Sequence, residues 1–197
     1  VEGEATLYHT KNPYCWSLLR PRHAWMQRLS CAGEFRETGQ SVVPVATLDG
    51  LVEREGLRAD VLKIDSQGLE LPILQNASRL FQDLICIDVE TGFVENYVGE
   101  TVAAQADELL RSRGFLMFDI VVFRVGRNNP LAEGSVKQPF YCETLWMRDF
   151  LSASSWGIHV LPPTRPTAVK ALAICCAMGF ADYGLEHASA GPDGETI

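Results

Sequence analysis

The sequence predicts an α/β fold with a partial doubly wound, mostly parallel sheet and helices on both faces. Short apolar runs at residues 60–65 and 84–89 are typical of buried strands, and each ends on acidic residues. Stretches with helical spacing of apolar residues separate these runs from each other and from a third run at 115–123. Because right-handed crossovers connect strands in this order, neighbouring strands are expected to run parallel.

The elements before the first buried strand are short. Residues 5–10 alternate as a strand does, and residues 41–45 form a β-branched run. Asp49 is expected to cap a helix over residues 51–55, because its carboxylate can accept hydrogen bonds from the free amides of the first turn. Gly56 is expected to end that helix.

The segment after the first buried strand continues the alternation of helices and strands. Residues 69–80 carry apolar residues at helical spacing, and Pro72 fits there only in the first turn. Residues 101–113 form the clearest helix, and Gly114 is its expected terminator. A fourth strand is expected at residues 140–147, where apolar and polar residues alternate.

The chain is long enough for one sizeable domain and a tail, but short for two domains. Residues 1–150 form the predicted α/β domain, and residues 151–197 form a C-terminal extension. In this extension a Pro-rich linker precedes one apolar helix at about residues 168–180. The last ten residues are small and polar, and we expect them to be disordered.

The composition is that of an ordinary globular protein, and it argues against several functions. The net charge of -8 and the scattered basic residues argue against nucleic-acid binding and against a membrane surface. Neither a leader nor an apolar run of about 18 residues occurs, so no signal peptide or spanning helix is predicted. The six cysteines lack metal-finger spacing, and we interpret them as reduced thiols of a cytoplasmic protein.

Asp65 ends the first buried strand and is the first candidate for catalysis. A carboxylate there projects into the crevice beyond the strand ends, where open α/β folds hold ligands. It could accept a proton from a hydroxyl, orient that hydroxyl or hold a divalent cation, and it could equally cap the next helix. Gln67 and Gly68 turn the chain directly afterwards. Because Gly68 permits close approach of the backbone, we assign both residues to substrate binding.

Glu90, at the tip of the second strand, is the other catalytic candidate. We expect it beside Asp65, because parallel neighbouring strands end at the same edge of a sheet. Lys63 and Asp88 lie inside apolar strands, where a charge needs a partner. Pairing of Lys63 with the carboxylate at 88 or 90 is therefore the alternative, structural interpretation. Glu70 falls in a first helical turn, where the helix dipole favours an acid.

Some functional motifs are missing from the sequence. No histidine lies beside a serine or cysteine in a nucleophile elbow, so hydrolysis by a triad is weakly supported. No histidine or cysteine spacing is typical of a metal site, and we predict none. No glycine-rich turn of the kind that binds nucleotides occurs either.

Four blocks of the sequence resemble the FkbM family of S-adenosylmethionine-dependent methyltransferases. The pattern of this family is Thr-Leu-Asp before a helix, then Lys-Ile-Asp-x-x-Gly-x-Glu, then an apolar strand ending in Glu, and later Leu-x-x-x-Gly-Phe. The corresponding blocks here are residues 47–49, 63–70, 85–90 and 110–115. The resemblance covers about residues 1–125, and the Lys-Ile-Asp block carries most of its weight.

The resemblance implies a Rossmann-like class I methyltransferase fold and methyl transfer to a hydroxyl of a sugar or of a secondary-metabolite-type small molecule. The implied cofactor is S-adenosylmethionine. Asp65 would position or deprotonate the acceptor, with Glu90 nearby. A divalent ion between the two carboxylates is compatible with this role, but nothing in the sequence demands one.

The resemblance also implies that the family's glycine-rich loop and ribose-binding acid lie upstream of Val1. We therefore expect a domain that is incomplete at its N-terminus and inactive on its own. Such a sheet would present an unpaired edge, so a homo-oligomer is one expected outcome. The alternative is a degenerate domain that acts as a binding or oligomerisation module, with the helix at 168–180 as its contact surface.

Overall fold

A computed structural model describes residues 2–158, 160 and 163–189. This part of the chain contains six strands and six α-helices. In chain order they are β1 (Glu2–Thr10), α1 (His23–Met26), β2 (Glu37–Ala46), α2 (Leu48–Glu55), β3 (Val61–Ile64), α3 (Glu70–Gln75), β4 (Cys86–Gly92), α4 (Ala103–Ser112), β5 (Phe115–Val125), β6 (Gln138–Arg148), α5 (Arg165–Met178) and α6 (Ala181–Ser189).

The strands form two separate sheets. β1 and β2 pair antiparallel as a two-stranded ribbon. The main sheet has the order β3-β4-β6-β5, in which β3 and β4 are parallel and β6 is antiparallel to both of its neighbours. The predicted α/β class is confirmed, but the predicted mostly parallel pairing is wrong. Residues 126–137 join β5 to β6 without a helix, so these strands pair as a hairpin rather than through a crossover.

Helices cover both faces of the main sheet, as predicted. The core on one face combines residues of α2, α3 and α4 with strand residues, among them Val52, Leu74, Ile87, Leu110 and Trp146. Because side chains alternate along a strand, Cys86 and Met147 lie on the other face. There they pack against Cys175 of α5. β3 forms one edge of the sheet, and its outer side has no strand partner among the described residues.

The ends of α2 confirm one local prediction and correct another. Gly56 ends the helix in the left-handed conformation, with φ of 63°, as predicted. The N-cap is Thr47 rather than Asp49, because the Thr47 hydroxyl accepts a hydrogen bond from the amide of Gly50 at 3.2 Å. The Asp49 carboxylate instead accepts from the backbone amides of residues 78 and 79 and so closes a different turn.

The C-terminal extension contains two helices where the sequence predicts one. Gly179, with φ of 91°, ends α5 and lets α6 fold back against it. The buried face of α5 holds Ala168, Ala171 and Cys175, so this face packs inside the protein. The predicted disordered tail lies outside the described residues, except for positions 188 and 189, which belong to α6.

All six cysteines are free thiols. Cys86, Cys142 and Cys175 are buried. Within the described ranges, no helix has the length and apolar character that crossing a membrane would require.

Candidate active site

A pocket of about 520 Å³ lies beyond the carboxyl ends of β3 and β4. Asp65, directly after β3, and Glu90, near the end of β4, both line it. The turn with Gln67 and Gly68 forms another part of its wall, and residues 12–16 also line it. The fold therefore brings together all four residues that the sequence singles out for catalysis and substrate binding.

The parallel register of β3 and β4 sets the two carboxylates side by side. Lys63 is opposite Asp88, and two residues further along each chain are Asp65 and Glu90. Both carboxylates accept a hydrogen bond from one side-chain amide. Gln67 Nε2 lies 2.8 Å from Asp65 Oδ1 and 3.3 Å from Glu90 Oε1.

Gln67 is held in place by its backbone and by both ends of its side chain. Its φ of 56° is left-handed, a conformation that residues other than glycine rarely adopt. The Ser17 hydroxyl donates to its backbone carbonyl at 2.7 Å. The Tyr97 hydroxyl lies 3.0 Å from Gln67 Oε1 and also 3.0 Å from the backbone carbonyl of Cys15. A strained turn thus presents an amide to the two carboxylates.

Glu70 stabilises the same turn from inside the protein. Its Oε1 accepts from the amides of Ser66 and Gly68 at 3.1 and 3.0 Å and from the Ser66 hydroxyl at 2.8 Å. Glu70 is the first residue of α3, as predicted. Gly68 has φ of 113°, and a Cβ there would lie 3.0 Å from Leu19 Cδ1. The close approach expected at Gly68 is therefore made by a neighbouring side chain.

Glu100 lines the pocket as well, although the sequence does not single it out. Its buried carboxylate accepts hydrogen bonds from the backbone amides of Asn96 and Tyr97. A Cβ at Gly92 would collide with its Oε1, so the end of β4 accepts only glycine there. Glu100 therefore shapes the loop that carries Tyr97 to Gln67.

Burial shifts the proton affinity of two of these carboxyls. It raises the pKa of Glu90 to about 7, and the neighbouring Asp65 carboxylate raises it as well. Burial likewise raises the pKa of Glu100 to about 7, with Glu70 adding to the shift. A carboxylate whose pKa is near 7 is well matched to accept a proton at neutral pH.

The charged residues within the strands themselves are balanced by ion pairs. Lys63 Nζ lies 2.9 Å from Asp88 Oδ1 and 3.6 Å from Glu143 Oε1. The predicted pairing of Lys63 with residue 88 is confirmed. Among the described residues, no group of three or more His, Cys, Asp or Glu side chains could hold a metal ion.

The sequence alone does not predict the residues that orient Gln67. Tyr97 lies 82 residues after Cys15 and 30 after Gln67, so no local spacing connects them. One signal was present in the sequence: residues 15–18 also resemble the segment that precedes the four blocks in the FkbM family. The hydroxyl of Ser17, in this segment, holds the strained turn.

Comparison with known proteins gives one match. A family model described as the methyltransferase FkbM domain matches residues 1–117, which is more than half of the chain. This range includes the pocket residues Asp65, Gln67, Gly68 and Glu90. No curated protein and no solved structure matches the chain. The chain belongs to the FkbM methyltransferase family.

Proposed function

We propose that this protein is an S-adenosylmethionine-dependent O-methyltransferase that acts on a hydroxyl of a sugar or of a secondary-metabolite-type small molecule. Membership of the FkbM family supports methyl transfer in general and implies use of S-adenosylmethionine. The observation that supports oxygen as the methyl acceptor is the Asp65–Glu90 pair in the pocket. A hydroxyl that is methylated must lose its proton, and a carboxylate with raised proton affinity accepts it.

Glu90 acts as the base, because burial and the adjacent carboxylate raise its pKa to about 7. Asp65 orients the acceptor hydroxyl toward Glu90. Gln67 keeps both carboxylates in position through its Nε2. In this mechanism the fixed geometry contributes most of the rate, since an aligned acceptor reacts without a further loss of orientational freedom.

The pocket suits the reacting end of the implied methyl donor. S-adenosylmethionine supplies a methyl group on a positively charged sulfonium. Asp65 and Glu90 would face that charge, and the aromatic rings of Trp16 and Tyr97 also line the pocket.

The test is methyl transfer from tritiated S-adenosylmethionine to a panel of sugars and hydroxylated aromatic compounds. In the full-length protein we expect one hydroxyl class to be labelled, and we expect Asp65→Asn to abolish labelling while the circular dichroism spectrum stays unchanged. The exposed Asp119 of β5 provides the matched control, because Asp119→Asn should keep full activity. Unchanged activity in Asp65→Asn would remove this residue from the mechanism. Label found only on nitrogen or carbon would overturn O-methylation.

A second candidate is a binding or oligomerisation module without catalysis. One observation favours it: the apolar side chains of Val169 on α5 and Leu185 on α6 are about half exposed, at 49% and 56%. A homo-oligomer that dissociates in Leu185→Glu, together with absence of methyl transfer, would support this candidate. We also propose a cytoplasmic location, which the six free cysteines support.

A further inference from the structure

The pocket carries a large excess of negative charge. Five carboxylates line it, and no described Lys, Arg or His does; the carboxylates are Glu34, Asp65, Glu70, Glu90 and Glu100. Aromatic side chains form much of the remaining wall: Tyr14, Trp16, Phe35, Tyr97, Phe140 and Tyr141. Carboxylates attract a cation by Coulomb interaction, and the faces of aromatic rings attract it through their quadrupoles.

We propose that the methyl acceptor of this pocket carries an organic cation, an ammonium group, close to the hydroxyl that is methylated. The inference rests on the proposed function, because it takes the pocket to be the acceptor site. It adds a substrate class that membership of the family does not specify.

The protein itself supplies little positive charge to these carboxylates. Glu34 is paired with Lys11 at 3.2 Å on the outer side of the pocket. None of the other four carboxylates is in an ion pair with a described residue. Lys63, the basic residue of β3, is engaged by Asp88 and Glu143 instead. Lys63 still lowers the pKa of Glu90 from a distance, and the remaining counter-charge would come from a ligand or from bound protons.

Glu70 gives a second and independent indication of a ligand. Its side chain is among the most buried of the protein, with only 1% of the residue exposed. Its Oε2 has no hydrogen-bond partner among the described residues, although Glu70 lines the pocket. A buried carboxylate oxygen without a partner costs stability, and an ammonium group in the pocket would offset part of that cost.

The charge of the methyl donor alone does not balance the pocket. S-adenosylmethionine has a sulfonium and an ammonium, and its own carboxylate offsets one of these charges. Its net charge is therefore a single positive charge, whereas four carboxylates of the pocket lack a basic partner. Part of the repulsion is relieved by protons, since Glu90 and Glu100 both have pKa values raised to about 7. A cation on the acceptor provides the second charge, and it would displace these protons.

The experiment compares two probes that differ in one group. Tyramine carries an ammonium, and 4-(2-hydroxyethyl)phenol carries a neutral hydroxyl at the same place. Binding of each to the full chain is followed by NMR through the amide signals of Gly68 and Gly92, which line the pocket. We expect tyramine to bind at least about tenfold more tightly. Equal or weaker binding of tyramine would overturn the proposal.

Substitutions of pocket carboxylates test whether the preference for tyramine over the alcohol arises in the pocket. Glu90→Gln should lower the affinity for tyramine several-fold and leave that for the neutral alcohol unchanged. Asp65→Asn is the second variant, should Glu90→Gln fold poorly, and it should act in the same direction. Glu108→Gln removes an exposed carboxylate of α4 that lies outside the pocket, so it should have no effect. A preference for tyramine that survives both pocket variants would overturn the assignment.

A second arm separates the two sources of positive charge. S-adenosylmethionine is compared with S-adenosylhomocysteine, which lacks the sulfonium but keeps the ammonium of the methionine part. The comparison of tyramine with the alcohol is repeated with S-adenosylhomocysteine bound, and loss of the preference for tyramine in that complex would assign the carboxylates to the donor. If only this pair differs in affinity and tyramine does not exceed the alcohol, the carboxylates serve the donor and the acceptor proposal is wrong. Because binding is measured without methyl transfer, failure of the proposed reaction would be seen separately in the labelling assay.

Discussion

Two pairs of charged residues lie next to each other on β3 and β4, and they differ in how their charge is balanced. Lys63 and Asp88 are opposite each other and form an ion pair at 2.9 Å. Two residues further along, Asp65 and Glu90 are both acidic and share the neutral amide of Gln67. The first pair is part of the sheet, and the second lines the pocket.

We interpret the Lys63–Asp88 pair as serving the fold, and we propose that the Asp65–Glu90 pair serves the reaction. Two adjacent carboxylates repel each other, and burial increases the cost of their charge. Selection for stability alone would favour an opposite charge at one of the two positions, as in the neighbouring pair. Two adjacent carboxylates that line a pocket despite their mutual repulsion are characteristic of functional sites.

The largest expected effect is on activity. Glu90→Gln should lower the turnover rate by about 100-fold or more, because it removes the proposed proton acceptor and keeps the size of the side chain. Labelling assays on purified protein measure this rate. Glu108→Gln, which removes an exposed carboxylate of α4, should leave the rate within twofold of the wild type, a range expected for surface changes of roughly this kind. Equal losses in the two variants would contradict a specific role for Glu90.

The same substitution, Glu90→Gln, should raise the stability of the folded protein at high pH, although it lowers activity. The pKa of Glu90 is raised to about 7 from 4.5, so ionisation of this carboxyl is harder in the folded state than in the unfolded state. The folded state therefore loses stability as the pH rises through this interval. Above it, Glu90→Gln should be more stable than the wild type by on the order of 1 kcal/mol, a figure reduced for the partial exposure of the side chain.

Urea denaturation at several pH values measures this difference. We expect the gap between Glu90→Gln and the wild type to shrink as the pH falls from about 7 to 4.5 and to be nearly closed below 4.5, where both states of the wild type are protonated. A gap that stays constant with pH would show that the substitution acts through packing rather than through charge.

Tyr97→Phe should have a smaller effect. It removes a hydroxyl that lies 3.0 Å from Gln67 Oε1 and 3.0 Å from the carbonyl of Cys15, so we expect a loss of about 1 kcal/mol in the free energy of unfolding. Activity should fall severalfold because the Gln67 amide is less well fixed. Tyr183→Phe removes a similar hydrogen bond, to the carbonyl of Arg148, away from the pocket. It should lower stability but not activity.

The smallest effect on stability is expected for the ion pair between Lys63 and Asp88. Lys63→Met should change the free energy of unfolding by less than about 1 kcal/mol, because the pair is partly exposed to solvent. Lys170→Met breaks a similar ion pair with Asp60 and should cost as little. The two variants should differ in the pKa of Glu90. Because Lys63 lowers the pKa of that carboxyl, only Lys63→Met should raise the midpoint of its NMR titration.

Local patterns in the sequence predicted the strands and helices that carry the site. Apolar runs located β3 and β4, and the parallel register of two strands was sufficient to bring Asp65 next to Glu90. Gly56 and Pro72 fixed helix ends, because their backbone restrictions act within a single turn.

Long-range contacts were not predictable in the same way. The insertion of β6 between β4 and β5 depends on pairings that apolar spacing does not encode. Likewise, Tyr97 meets Gln67 only because the buried carboxylate of Glu100 bends the loop after β4. The cap of α2 was misassigned because Thr47 and Asp49 both suit that position, and only the position of residues 78 and 79 decides between them.

The most direct test is the pH dependence of kcat/KM for methyl transfer in the wild type and in Glu90→Gln. If the Asp65–Glu90 pair accepts the proton, the wild-type value should rise with pH to a plateau with a midpoint near the pKa of about 7 expected for Glu90. The rise should disappear in Glu90→Gln and persist in Glu108→Gln. A wild-type profile that is flat across this range, or a rise that survives in Glu90→Gln, would contradict the account.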